Sequence, residues 1–250
     1  MSNLQQRTPA WHAARKGKLT ASNLGGLLGL CSWCSRQETY NRIMGVSVFQ
    51  GNEATQWGND NEQNAINDYM ADSGYVVDPS GLHIHPAHMW IAGSPDGLVG
   101  ETGMIEVKCP FYKKVCHNYI PLHYYIQMQA LLVIIGREWC DFISWTPDAY
   151  KVYRITVDKN LFEFCLPYWG QVYSQMQNGV EKLPQFKKGV KEAIAETVRT
   201  SLHEHSSEAI NNIWWGSPPC LSTDEDEHTN TPDPKRLKSE EVADEPGDFQ

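Results

Sequence analysis

The residues best suited to chemistry lie in one short stretch, Gly93-Ser94-Pro95-Asp96-Gly97 followed by Met104-Ile105-Glu106-Val107-Lys108. A hairpin turning through Gly100-Glu101-Thr102-Gly103 brings Asp96 beside Glu106. Side chains alternate along a strand, so Glu106 and Lys108 share one face while Val107 points into the core. Two carboxylates and an ammonium then converge. Hard divalent ions prefer carboxylate oxygens, and magnesium is held by one or two of them with waters and substrate phosphates. Such an ion neutralises a phosphate, orients an attacking water and stabilises the leaving oxygen. The neighbouring ammonium favours hydroxide and the transition-state charge. That chemistry is phosphodiester hydrolysis.

The short Asp and Glu-x-Lys pattern also occurs in unrelated proteins as a surface salt bridge, so its context decides. Trp11-His12-x-x-Arg15-x-Gly17-x-Leu19-Thr20-Ala21-Ser22 comes first, then Trp57-Gly58-x-x-x-Glu62. Ser94-Pro95-Asp96-Gly97-Leu98, Glu106-Val107-Lys108-Cys109-Pro110-Phe111 and Gln127-x-Gln129 follow. In this order, from Trp11 to Trp145, the chain resembles the YqaJ and phage lambda exonuclease family of the PD-(D/E)xK nucleases.

That resemblance implies a magnesium-dependent 5′-to-3′ exonuclease acting on double-stranded DNA ends, used in recombination by single-strand annealing. It implies two Mg2+ ions, with Mn2+ able to substitute. Asp96, Glu106 and the Val107 carbonyl would hold metal, with Glu62 an additional carboxylate. Lys108 would activate or stabilise the nucleophile, Gln127 would position it, and Arg15 and Ser22 would bind the 5′-terminal phosphate. The expected partners are DNA ends, a single-strand annealing protein and two further copies in a homotrimer. Read without the family, Glu62 and Gln127 are solvated polar residues on helices, Ser22 is a helix cap and Arg15 a surface cation.

The alternation of the elements that position these groups predicts an α/β (α+β) fold, a helix–sheet–helix sandwich. The resemblance makes it a restriction-endonuclease-like PD-(D/E)xK core, a central mixed β-sheet flanked by helices. Thr20-Ala21-Ser22-Asn23 has helix-capping chemistry, and Leu24, Leu27 and Leu28 continue a helix with outward-pointing N-terminal amides beside Arg15. Glu62, Ala65, Ile66, Tyr69 and Met70 have helical spacing that ends near Asp72-Ser73-Gly74. Extended segments are expected at Tyr75–Val77, Leu82–His85, Met89–Ala92, Gly97–Val99 and Met104–Lys108. A helix over His117–Ile135 and strands over Trp139–Thr146 and Lys151–Val157 follow, then helix from Leu161 to Val198 with a break at Leu183-Pro184.

The net charge of −9 is unusual for a nucleic-acid enzyme until it is divided. Met1–Cys220 carries 18 Lys+Arg against 20 Asp+Glu, whereas Leu221–Gln250 carries 3 against 10. The acidity is therefore mostly the tail's. We divide the chain into an exonuclease-like domain over 1–219 and a disordered acidic tail over 220–250, too poor in apolar residues to order itself. Cations cluster at Arg7, Arg15, Lys16 and Lys18 and again at Lys182, Lys187, Lys188 and Lys191, local patches able to meet phosphates.

The odd number of cysteines, seven, and the lack of a long apolar run point to reduced thiols and an intracellular protein with no membrane span. Cys31-x-x-Cys34 lacks a second pair at zinc-site spacing and reads as free thiols, and the scattered Cys140, Cys165 and Cys220 do not form an iron–sulfur motif. Pro234-Lys235-Arg236-Leu237-Lys238 resembles a short nuclear-import signal, which points to the nucleus in a eukaryotic or viral setting and otherwise to the cytoplasm. Two other functions fit the same residues: an endonuclease on this fold, and a DNA-binding module that has lost catalysis.

Overall fold

A computed structural model describes residues 4–46, 51–112, 114–207 and the backbone of Ile210–Asn211. The acidic tail, the basic cluster at Pro234–Lys238 and Cys220 lie outside the described residues. Helices α1 (Pro9–Arg15), α2 (Ala21–Leu27), α3 (Arg36–Ile43) and α4 (Glu53–Ser73) precede most of the sheet. Strands β1 (Leu19–Thr20), β2 (Val77–Asp78), β3 (His83–Ile84), β4 (Ile91–Gly93), β5 (Gly97–Val99) and β6 (Gly103–Lys108) lead to α5 (Leu122–Ile135). Then come β7 (Trp139–Thr146), β8 (Ala149–Thr156), α6 (Lys159–Gln177), α7 (Val190–His205) and β9 (Ile210–Asn211).

The main sheet has the order β2-β5-β6-β7-β8-β9. Its strands pair antiparallel except for β6 and β7, which α5 joins as a parallel crossover with Glu106 opposite Phe142 and Lys108 opposite Ser144. Pro147-Asp148 closes the β7–β8 hairpin in two residues. A smaller sheet, β1-β4-β3, places Thr20 opposite Ala92.

Alternation along β6 decides which way its functional groups face. Ile105 and Val107 pack with Ile143, Trp145 and Val152 against Ala65, Ile66 and Tyr69 of α4. Met104 goes to the opposite core, with Phe142, Tyr153 and residues of α2, α5, α6 and α7. Glu106 and Lys108 share the face of Met104 and meet α5. The helix–sheet–helix sandwich and the inward direction of Val107 thus stand as expected.

Helix α5 is buried from Tyr125 to Leu132 on every side, as an apolar helix without a polar face must be. It lies tight against α2, because Gly25 has no Cβ: one would stand 2.6 Å from the backbone Cα of His123.

Several expected boundaries move. The helix read from His117 begins only at Leu122, since Pro121 occupies the cap and residues 117–121 run irregularly. The long C-terminal helix is interrupted from Asn178 to Gly189, a wider gap than Leu183-Pro184 alone. The segment expected at Tyr75–Val77 is strand only at Val77–Asp78, and β8 starts two residues before Lys151, drawn back by its hairpin with β7. Helices α1 and α3 were not expected. Among the described residues no helix is long and apolar enough to cross a membrane.

Candidate active site

Pairing of β5 with β6 sets Gly97 opposite Ile105, which brings Asp96 to the end of β6. There the Val107 amide donates to Asp96 Oδ2 at 2.7 Å. Glu106 is 1% exposed, and its Oε1 accepts from both Lys108 Nζ and Gln127 Nε2. Its other oxygen, Oε2, is buried without a hydrogen-bond partner among the described residues.

That orphan oxygen is informative beside the second buried carboxylate of the sheet. Asp141, also 1% exposed, accepts from Arg154 Nε and Nη2 at 2.8 Å each and from Tyr69 Oη at 2.7 Å. Asp141 is saturated and ties α4, β7 and β8 together. Glu106 is half-satisfied, an arrangement that normally costs about 1–3 kcal/mol, and more for a charged group. Functional sites keep such groups for a ligand.

Burial pushes the Glu106 carboxyl up to about 8, with Asp96 adding repulsion and Lys108 opposing. Asp96 is raised by burial against the pull of Lys108. Burial works against the Lys108 ammonium, but Glu106 and Asp96 outweigh it and the lysine is held above its ordinary value. Lys108 Nζ also lies 5.0 Å from the Tyr124 ring centroid. The cluster thus holds more latent negative charge than one lysine balances.

Glu62 extends from α4 toward the same place and is raised by burial and by Asp96. It forms a 2.5 Å ion pair with Arg7 Nη2. Glu62, Asp96, Val107 and Lys108 line one cleft of about 660 Å3, together with Tyr124 and His117. Among the described residues no group of three His, Cys, Asp or Glu side chains is arranged to hold one metal ion. Asp96 and Glu106 form the acidic pair, and Glu62 is engaged by Arg7. A pair suffices for magnesium, which keeps several waters.

Arg15 and Ser22 also come together. Arg15 Nη2 approaches Thr20 Oγ1 at 3.4 Å, and Thr20 Oγ1 is 3.4 Å from Ser22 Oγ. The guanidinium stacks on Trp11 at 3.9 Å, and burial pushes it down to about 10. It forms no salt bridge with an acid among the described residues. Trp11 Nε1 donates to Ser94 Oγ at 2.9 Å, linking this cluster to the loop that carries Asp96. Helix α2 has only seven residues, so the charge at this place comes from Arg15 rather than from a helix end.

Read alone, Gln127 looked like a solvated helix residue. It is 8% exposed and bound to Glu106, whereas Gln129 points elsewhere and pins α5 to Thr156 O and Asp158 N. A glutamine pair inside an otherwise apolar helix was the available signal. Arg15 is likewise half-buried, not a surface cation. Sequence reasoning gives no site role to Thr20 or Tyr124 and reads Arg7 as part of a basic cluster, not as the partner of Glu62. Tyr124 carries no local pattern, and Thr20 stands where capping chemistry alone accounts for it.

The family described as "YqaJ-like viral recombinase domain" matches residues 10–138, just over half of the chain. The crystal structure of an alkaline exonuclease (LHK-Exo) from Laribacter hongkongensis is similar at 29% identity with a TM-score of 0.59, covering 76% of this chain and all of that one. The same enzyme in complex with dAMP gives 28% identity, a TM-score of 0.58 and the same coverage. Uncharacterized protein R354 of Acanthamoeba polyphaga mimivirus is 29% identical over 119 residues, covering 41% of this chain. The chain spans about a fifth of the length of that viral relative, 22%. Matched family and matched fold support a nuclease, and the chain belongs to the YqaJ-like viral recombinase domain family, with the α+β fold of an alkaline exonuclease.

Proposed function

We propose that this chain is a magnesium-dependent 5′-to-3′ exonuclease. Its reaction is hydrolysis of phosphodiester bonds from double-stranded DNA ends, in recombination, repair or the processing of a viral genome. The observation that carries this reading is the buried, unpartnered Oε2 of Glu106 beside Asp96. Asp96, Glu106 Oε2 and the Val107 carbonyl would hold magnesium, and Glu62 would join for a second ion by exchanging Arg7. Bound there, the metal supplies charge neutralisation at the phosphate and a water activated for attack.

The chain's own groups do the rest. Gln127 and Lys108 both hold Glu106 Oε1, which leaves Oε2 as the carboxylate oxygen without a partner among the described residues. Lys108, held above its ordinary value by Glu106 and Asp96, would stabilise negative charge on the phosphate as an ammonium. Arg15, with Thr20 and Ser22, offers charge-assisted donors to the 5′-terminal phosphate. The Trp11–Ser94 bond keeps that subsite at a fixed reach from Asp96. A homotrimer and a single-strand annealing partner belong to the same reading.

Digestion of linear duplex DNA with and without a 5′ phosphate, in magnesium, tests this beside Lys108→Ala and a closed circle. End-dependent loss of one strand that needs Lys108 is expected. Cutting of the circle replaces the reading with an endonuclease, and no cutting of either substrate replaces it with a binding module.

A further inference from the structure

A second cleft of about 650 Å3 opens between the Cys31–Glu38 segment and the segment from Leu183 into the start of α7. Arg36, Lys187, Lys188 and Lys191 line it. The three lysines are exposed and form no ion pair among the described residues. Arg36 stacks on Phe186 at 4.2 Å and donates to Leu27 O and Pro184 O at 2.8 and 2.7 Å. Three of its five N–H groups are left without a partner among the described residues.

Two acids face these four cations. Glu38 is occupied, accepting from the Ser35 amide at 2.7 Å in a capping box, and Glu192 stands on α7. Burial holds the Cys31 thiol up, near 11, so it adds no charge at neutral pH.

Trp33 joins the two clefts. It lines this one and also the cleft of Asp96 and Lys108, and it is 66% exposed. Arg42 stands 5.3 Å from its ring centroid and lines the active-site side. An exposed aromatic face beside a cationic groove is the pairing that takes single-stranded nucleic acid: bases stack on the ring and phosphates follow the cations. The cleft has the volume of a small-molecule site, which suits a single strand better than a duplex.

We propose that the Arg36–Lys191 cleft is a track for single-stranded DNA, taking from Trp33 onward the strand that is not being cut. The choice of strand rests on the exonuclease reading, because digestion of one strand leaves its complement single at the active site. Trp33 then acts as the divider, with the digested strand on the Lys108 side and the spared strand on the lysine side.

Fluorescence anisotropy of the full chain in EDTA, with blunt duplexes and duplexes bearing a 3′ single-stranded overhang, tests the track without requiring cleavage. The overhang is expected to raise affinity about tenfold in the wild type. The combined substitution K187E, K188E and K191E should abolish that gain and lower the salt slope by about two, at about 0.7 per phosphate contact. Trp33→Ala, on an exposed ring, should reduce the gain while leaving the salt slope unchanged. Equal binding of blunt and overhung duplexes by the wild type, or a gain that survives charge reversal, overturns the proposal. Failure of the exonuclease reading is separate: it appears as absence of end-dependent digestion in magnesium, whatever the overhang does to affinity.

Discussion

Replacing Glu106 by Gln tests whether this carboxyl is kept buried for a cation. Burial and Asp96 push it up to about 8, whereas in the unfolded chain it ionises near its ordinary value of about 4.3. The folded value is the higher one, so its stabilisation is complete below about 4.3 and is lost as pH rises toward 8. His83, His85, His117 and His123 are all pushed down by burial and act in the opposite sense, but only below about 6.5. Between pH 6.5 and 8 the Glu106 contribution stands clear of them.

At about 1.4 kcal/mol per pH unit, tapering near the folded value, that interval removes about 2 kcal/mol. For a chain of this size the melting temperature falls by roughly 4–8 °C. Thermal melts in EDTA should show this fall in the wild type and a nearly flat profile in Glu106→Gln. Magnesium should restore the wild type at pH 8, less so at pH 6.5 where the ion must displace a proton, and leave the variant unchanged. The same pH dependence in both proteins would refute the argument, since the charge cost would then lie elsewhere.

Arg15→Ala should lower kcat/KM on 5′-phosphorylated ends by about 10–100-fold, the loss of charge-assisted hydrogen bonds, and leave ends with a 5′ hydroxyl little changed. Steady-state digestion of the two substrates checks it. Asp141→Asn breaks the paired acid that joins Arg154 and Tyr69 and should cost about 3–5 kcal/mol in denaturant unfolding. Gly25→Ala would press a methyl against the His123 backbone and should cost about 1–3 kcal/mol. Because α5 carries Gln127, its activity should fall as well, read by melting temperature and digestion together.

How far the sequence reached can be judged from particular elements. Strand β5, β7 and the exit of α4 at Gly74, with φ 70°, were legible because alternation and a left-handed glycine are local signals. Helices α1 and α3 were legible in principle. Thr8 before Pro9 and the Ser35–Glu38 capping box are their local start signals. The start of α5 was misplaced because Pro121 and the loop before it are held by contacts with β7, such as the His117 amide on Ser144 Oγ.

By itself the sequence determined the acidic pair and the lysine. Hairpin spacing fixes the distance along the chain from Asp96 to Glu106, and strand alternation fixes the shared face of Glu106 and Lys108. Tertiary structure decided everything that depends on what lies opposite that face. Only packing of α5 on β6 could make Gln127 a ligand of Glu106 while leaving Oε2 bare. Only the fold could give Asp141 its Arg154 and Tyr69 and so separate a structural acid from a chemical one. Only the fold could bring the lysines at 187, 188 and 191 to line one cleft with Arg36. A carboxylate's charge is written in its residue type, but its pKa and its free oxygen depend on neighbours brought from distant parts of the chain.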